Sequence, residues 1–297
     1  MLFLAVSVIL IFGPSAIGKS ETALKIASKI NSLIINADSL QVYKDLKILT
    51  SRPTANDEEV IPHRLYGHIK GDLQYTVANW LNDVSIEIES IFFKNLVPII
   101  VGGTGLYFKS LLNGLATIPD IKNEIKDSTD DLVNKFGLEY LQRELVKKSP
   151  TSKIKNNDPN RIIRAYNILT QTGKTIEEWQ SNTKPNIDNI SYQKLLINPD
   201  RNLLYKNAED RFDIMINNGG IEEVEELNLR KYDLNNSVMK AIGVREISDF
   251  IAGKTSLEDC ISLAKQKSRN YIKRQQTWIN SNNITWNNSY KKLMKSI

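Results

Sequence analysis

At 297 residues the chain is long enough to bury a sizeable core, as one large domain or two smaller ones. A single cysteine, Cys260, excludes a disulfide framework, and two histidines, His63 and His68, leave no basis for a zinc centre. The net charge of +5 gathers at one end: Cys260 to Ile297 carries eight basic residues and no acid, which fits either a polyanionic partner or a solvated basic helix face.

The chain opens on an apolar run, Met1 to Phe12, of which Leu2 to Phe12 is eleven residues. That is too short to span a bilayer, and no basic segment precedes it, so it reads as a strand buried on both faces. A cytoplasmic protein without membrane contact is expected. The run ends in Gly13-Pro14-Ser15-Ala16-Ile17-Gly18-Lys19-Ser20, which satisfies G-x-x-x-x-G-K-S, and a helix is predicted over Glu21–Ile30. Strand, glycine loop and helix in that order make a phosphate-binding loop. Gly13 and Gly18 admit backbone angles closed to other residues, so successive N–H groups turn toward phosphate oxygens at a helix N-terminus. Lys19 would reach the phosphates and the Ser20 hydroxyl would hold Mg²⁺.

A second strand, Ser32–Ile35, runs into Asn36-Ala37-Asp38-Ser39-Leu40-Gln41-Val42-Tyr43. Parallel sheets place ligands at the carboxyl ends of their strands, so Asp38 is expected to share the phosphate loop's crevice. A weak third strand is predicted near Leu65–Ile69, an amphipathic helix over Thr76–Phe93 and a buried strand over Pro98–Val101. Gly102-Gly103-Thr104-Gly105 then makes a second glycine turn ahead of a helix, Leu106–Leu112; it suits a second phosphate, a ribose or simply tight packing. From Leu115 to Asn189 the strands give way to helices over Leu138–Lys148, Asn160–Thr172 and Ile176–Gln180, with Asp158-Pro159 as a start signal and Gly173 as a stop. A strand resumes over Ser191–Asn198, followed by helices over Leu203–Ile216, Glu222–Leu229, Arg245–Ile251 and Leu257–Ile279. The expected fold is α/β, a P-loop-type three-layer core with a parallel sheet in two parts, 1–114 and 190–297, around an all-helical insertion, 115–189.

Gly102 stands where ATPases and many kinases end a strand in the Asp that holds Mg²⁺. Asp38 is then the only acid at a strand end, with three readings: a metal ligand through water, a general base, or a cap. Gln41 suits an adenine edge or a cap. Arg161 and Arg164 lie one turn apart, close to Lys155. The last long helix interleaves Lys265, Arg269, Lys273 and Arg274 with Tyr271 and Trp278, a pattern for phosphate contacts and base stacking in which Trp278 reads as core.

Gly-Pro-Ser-Ala-Ile-Gly-Lys-Ser, Asn-Ala-Asp-Ser-Leu-Gln-Val-Tyr, Val-Gly-Gly-Thr-Gly-Leu-Tyr-Phe-Lys, Asp-Pro-Asn-Arg-Ile-Ile-Arg-Ala and Lys-Arg-Gln-Gln-Thr-Trp occur here in that order. Together they resemble the tRNA dimethylallyltransferases, over nearly the whole chain. The resemblance implies a reaction: a dimethylallyl group passes from dimethylallyl diphosphate to N6 of adenosine 37, beside the tRNA anticodon. It implies that Gly13, Pro14, Ser15, Ala16, Ile17, Gly18, Lys19 and Ser20, with Arg211, hold the diphosphate, and that Mg²⁺ sits on Ser20. Asp38 becomes the general base, with Lys19 and Thr104 as further catalytic groups, and the missing acid at Gly102 is explained because no γ-phosphate moves. The tRNA would meet Asp38, Ser39, Leu40, Gln41, Thr104, Lys126, Asn160, Arg161, Ile162, Ile163, Arg164, Lys240, Arg245, Lys273, Arg274 and Gln275. Lys126 replaces the family's usual arginine, and Asn207 takes the first of two positions usually held by arginines, leaving Arg211. A monomer gripping the anticodon stem-loop with its insertion and basic C-terminal helix is expected. Two other readings stand beside this one: a small-molecule P-loop kinase using ATP, and an RNA-binding module with a vestigial nucleotide site. Related enzymes prenylate free adenine nucleotides, which need neither the insertion nor the basic helix.

Overall fold

The computed structural model describes residues 7–149, 158–181, 183–187, 189–286 and 289–296. Its centre is a five-stranded sheet, every pairing parallel, in the order β3-β2-β4-β1-β5. The strands are β1 (Ser7–Phe12), β2 (Ser32–Asn36), β3 (His63–Arg64), β4 (Val97–Gly102) and β5 (Ser191–Leu196). β1 lies between β4 and β5 and is apolar on both sides because both sheet faces are covered. Val8 to Phe12 are each no more than 1% exposed, and each such side chain contributes about 1.5–3 kcal/mol by its burial. On one face Ile9, Ile11, Ile34, Ile99 and Val101 meet Ala23 and Ile26 of α1 (Lys19–Ala27) and Leu293 of α13 (Tyr290–Ser296). On the other, α3 (Val77–Phe93) buries Trp80, Leu81, Val84, Ile88 and Ile91, the stripe its sequence period predicts. Phe12 meets Phe108 of α4 (Gly105–Asn113) at 5.0 Å on that side.

The third strand is shorter and earlier than its sequence suggested. Leu65 and Gly67 take positive φ, 60° and 55°, which ends extended pairing after Arg64; Ile69 returns only as an isolated parallel bridge to Tyr43. The part of the opening apolar run before Ser7, and Lys155, lie outside the described residues.

By internal contacts the chain divides into two compact units, Met1–Ser110 with Asn186–Ile297, and Leu111–Pro185. The second unit holds α5 (Asn123–Phe136), α6 (Leu138–Lys148), α7 (Pro159–Thr172) and α8 (Ile176–Ser181). Helix α5 escaped the sequence reading because it is polar and buries only Thr129, whose hydroxyl donates to Asn167 Oδ1 at 2.5 Å. Leu141, Leu145, Ile162, Ala165 and Leu169 form this unit's core. Asp158 caps α7 through the Arg161 N–H, Pro159 follows, and Gly173 ends the helix at φ 69°.

In the first unit, β5 leads to α9 (Arg201–Met215), a π turn over Ile216–Gly220, α10 (Ile221–Leu229), α11 (Val244–Ile251) and the long α12 (Leu257–Ser281). No helix among the described residues is long and apolar enough to cross a membrane.

Candidate active site

The carboxyl ends of β1, β2 and β4 bring three loops to one place, and together with α9 and α12 they wall a cavity of about 530 Å³. The first loop is the glycine-rich one. A Cβ on Gly13 would lie 2.2 Å from the Ile197 carbonyl oxygen, so only glycine lets the loop leave β1 against the chain beyond β5. Gly18 supplies φ 73° just before α1, and Ala16 accepts φ 62°, a conformation costing a non-glycine residue about 1 kcal/mol. Residues 15 to 20 line the cavity at the N-terminus of α1. Lys19 lies within, its ammonium donating to the Pro14 carbonyl at 2.5 Å. Burial pushes its pKa down from 10.5 to about 8; Asp38 opposes that shift and Arg211 adds to it.

The second loop holds Asp38 through a chain of local bonds. Asn36, fully buried, accepts from the Asp38 N–H at 2.8 Å and donates to the Asp38 and Leu65 carbonyls at 2.9 and 3.0 Å. Trp80 Nε1–H secures the Asn36 carbonyl at 2.8 Å. Asp38 Oδ1 accepts from the Leu40 N–H at 3.0 Å, and the carboxylate faces the cavity. Tyr66 and Tyr271 line the same cavity; burial, reinforced by Asp38, raises both phenol pKa values and keeps them as neutral O–H groups. Gln41 also lines it, but its amide donates to the Thr50 and Ser51 carbonyls, at 2.7 and 3.1 Å, closing a turn of the wall. That wall is clamped from outside by Glu223, whose carboxylate accepts the N–H groups of Lys47, Ile48 and Leu49 at 2.5, 2.7 and 2.9 Å.

The third loop follows β4. Thr104 Oγ1 accepts from the Ser39 N–H at 2.9 Å, so this residue braces the Asp38 loop and is not itself among those lining the cavity. From α9, Arg211 reaches the cavity with its Nε buried and unpartnered. Burial lowers its pKa and Asp38 opposes the shift. A cation left in that state is costly until an anion joins it. Asn207, one turn earlier, donates to the Ala16 carbonyl at 3.2 Å and so steadies the phosphate loop. Leu40, Leu49, Phe212, Met215 and Ala241 supply an apolar wall.

Among the described residues no group of three or more His, Cys, Asp or Glu side chains could hold a metal ion. The cavity does present the Ser20 hydroxyl and the Asp38 carboxylate. One hydroxyl and one carboxylate are the donors of a Mg²⁺ ion that arrives with phosphate and keeps most of its waters, so the residues fit that ion.

The family model described as IPP transferase matches residues 41–282, and one described as isopentenyl transferase matches residues 6–70. A tRNA dimethylallyltransferase of Allorhizobium ampelinum is 40% identical over 282 residues, covering 94% of this chain and 93% of that one. The chain belongs to the IPP transferase family. Another member, the tRNA dimethylallyltransferase of Bartonella henselae, is 43% identical over 277 residues, 92% of this chain and 94% of the other. Among solved structures, a eukaryotic dimethylallyltransferase acting on tRNA superimposes with a TM-score of 0.79 at 30% identity, over 92% of this chain and 70% of that one. The tRNA isopentenylpyrophosphate transferase of Bacillus halodurans gives 0.69 at 29%, over 98% and 94%. The parallel sheet and glycine loop are thus the α/β core of a family of prenyltransferases.

The residues expected to meet tRNA are placed unequally. In the helical unit Lys126, Asn160, Arg161 and Arg164 are exposed, whereas Ile162 is fully buried and Ile163 packs partly against the same core. In the first unit Lys240, Arg245, Lys273 and Arg274 are exposed, with Arg274 5.6 Å from the Tyr271 ring centre. Gln275 is 6% exposed, and both ends of its amide are bonded within the protein. The basic stretch of α12 is also less available than its sequence implied. Lys265 pairs with Asp213 at 2.7 Å, Arg269 with Glu209 at 2.5 Å, and Lys267 with Glu246. Sequence reasoning passed over Asn36, Tyr66 and Asn207's bond to the loop; only a buried asparagine inside the Asp38 segment was a signal, and a weak one.

Proposed function

We propose that this chain transfers a dimethylallyl group from dimethylallyl diphosphate to N6 of adenosine 37 in tRNA and releases diphosphate. The observation that carries this reading is the placement of two cations, Lys19 and Arg211, and one carboxylate, Asp38, on the wall of a single cavity whose other side is apolar. The cations and the N–H groups at the start of α1 hold the diphosphate, and the apolar wall receives the five-carbon group. As the C1–O bond breaks, negative charge grows on the leaving oxygen, where Lys19 and Arg211 are already fixed. The N6 nitrogen forms the new C–N bond and gives up its proton to Asp38. Mg²⁺ on Ser20 supplies further charge neutralisation on the leaving diphosphate when bound. Adenine leaves its stack to reach the crevice, with Tyr66 and Tyr271 as aromatic surfaces at hand. Lys126, Arg161, Arg164, Lys240, Arg245, Lys273 and Arg274, all exposed, take the RNA backbone, and the enzyme works in the cytoplasm. A kinase reading is not favoured: the chain belongs to the IPP transferase family, and β4 ends in Gly102 where many kinases place an acid.

The test is nucleoside mass analysis of tRNA incubated with the chain and either dimethylallyl diphosphate or ATP. One C5H8 addition to adenosine in the first arm is expected. Unmodified tRNA there, with phosphate transfer in the ATP arm, overturns the reading.

A further inference from the structure

We infer that Gln275 is a positioning residue that ties the phosphate loop to the second glycine turn and thereby sets diphosphate affinity; this rests on the proposed function. Gln275 lies on α12 and is 6% exposed. Its Oε1 accepts the N–H of Ser15 at 3.0 Å, and its Nε2 donates to the carbonyl of Gly103 at 3.0 Å. One amide thus joins loops that follow β1 and β4 and are 88 positions apart in Gly103's numbering from Ser15. The fit is close on the Gly103 side: a Cβ there would lie 2.7 Å from Nε2. A turn farther along, the Trp278 ring occupies the space above Gly105, so α12 is seated on this turn at two points.

Each loop serves one half of the site. The Ser15 loop carries Lys19 and the amides at the start of α1. The Gly103 turn carries Thr104, whose hydroxyl holds the Ser39 N–H next to Asp38. Gln275 therefore fixes the leaving-group side relative to the base side without touching either reactant. An amide is suited to this, since it offers one acceptor and one donor at a fixed spacing. Buried and bonded at both ends inside the protein, it is far less open to RNA than its exposed neighbours Lys273 and Arg274.

Gln275→Met keeps the volume and removes both bonds. Calorimetry with inorganic diphosphate is expected to show about tenfold weaker binding, the loss that follows when buried partners go unpaired. In turnover, KM for dimethylallyl diphosphate should rise by a similar factor while KM for tRNA stays within about twofold. Gly103→Ala presses on the same bridge from the other loop and should reproduce this split; it decides the matter if Gln275→Met does not fold. Diphosphate affinity unchanged in a folded variant, or a loss confined to tRNA, overturns the inference. Wild-type turnover with dimethylallyl diphosphate tests the parent function separately, because the calorimetric arm needs neither the prenyl group nor tRNA.

Discussion

The cavity and the helical unit both carry basic residues, but they hold them in opposite ways. In the cavity, Lys19 is desolvated enough to lower its pKa to about 8, and Arg211 keeps a buried Nε without a partner. The loop that carries Lys19 is bonded to Gln275 and Asn207, far away in sequence, and Arg211 is held on helix α9. In the helical unit, Lys126, Arg161 and Arg164 are exposed, and such partners as they have lie three residues off: Arg161 pairs with Asp158 at 3.0 Å and Lys126 donates to Asn123 at 3.3 Å. Partly buried charges lining a cavity suit a transition state, where reorganisation is costly; exposed charges suit a phosphate backbone, where each contact is weak and many add. The two regions should therefore respond to mutation on different scales.

The largest effect is expected at Asp38. Asp38→Asn keeps an oxygen for the Leu40 N–H and so preserves the loop, but it removes the base. Single-turnover transfer should fall by about 10²–10⁴-fold, with tRNA affinity within about twofold. Turnover near wild type would remove Asp38 from the chemistry.

Next comes Arg211→Met, which should raise KM for dimethylallyl diphosphate by about 30-fold or more, the scale for losing one partner of a desolvated charge contact. The same change should raise the Tm of the unliganded protein by about 2 °C, because it deletes a cation whose Nε is buried without a hydrogen-bond partner among the described residues. A site that binds by pre-fixed charge gives up stability to do so, and a lower Tm would contradict that.

Lys19 gives a pH test. Its folded value near 8 lies below the ordinary 10.5, so between those values the folded state has shed a proton the unfolded state keeps. Stability from this group rises with pH across that window, while binding of an anion falls. A plot of kcat/KM for dimethylallyl diphosphate should bend downward above pH about 8. Asp38 raises the Lys19 value, so Asp38→Asn should move the same limb, followed by diphosphate binding, to lower pH.

How legible all this was in the sequence depended on range. The glycine loop and Asp38 could be read because each is encoded in a few consecutive residues with a fixed mechanism. The sheet's apolar strands were legible for the same reason, except β3, where the turn at Leu65 and Gly67 overrode an apolar run. What was not legible came from distant partners. Nothing near Ser15 points to Gln275, and nothing on α12 shows that Asp213, Glu246 and Glu209 claim Lys265, Lys267 and Arg269. The segment Asn160 to Arg164 shows the mixture within one turn. Its polar members are exposed as a binding motif requires, while Ile162 obeys the helix period and enters the core with Ala165 and Leu169.

The smallest effects are expected on that exposed face, and they are the sharpest test of the contrast. Arg161→Ala and Arg164→Ala should leave kcat at saturating tRNA unchanged and raise the tRNA Kd by only a few-fold each. Each should lower the slope of log K against log salt by about 0.7–0.9, the signature of one lost phosphate contact. Arg164 should matter more. Arg161 begins from an ion pair with Asp158, worth about 0–1 kcal/mol at the surface, which RNA must displace; Arg164 has no such pair among the described residues. If either variant lowered kcat itself, or if the salt slope did not change, the helical unit would be acting on the chemistry and not on the grip.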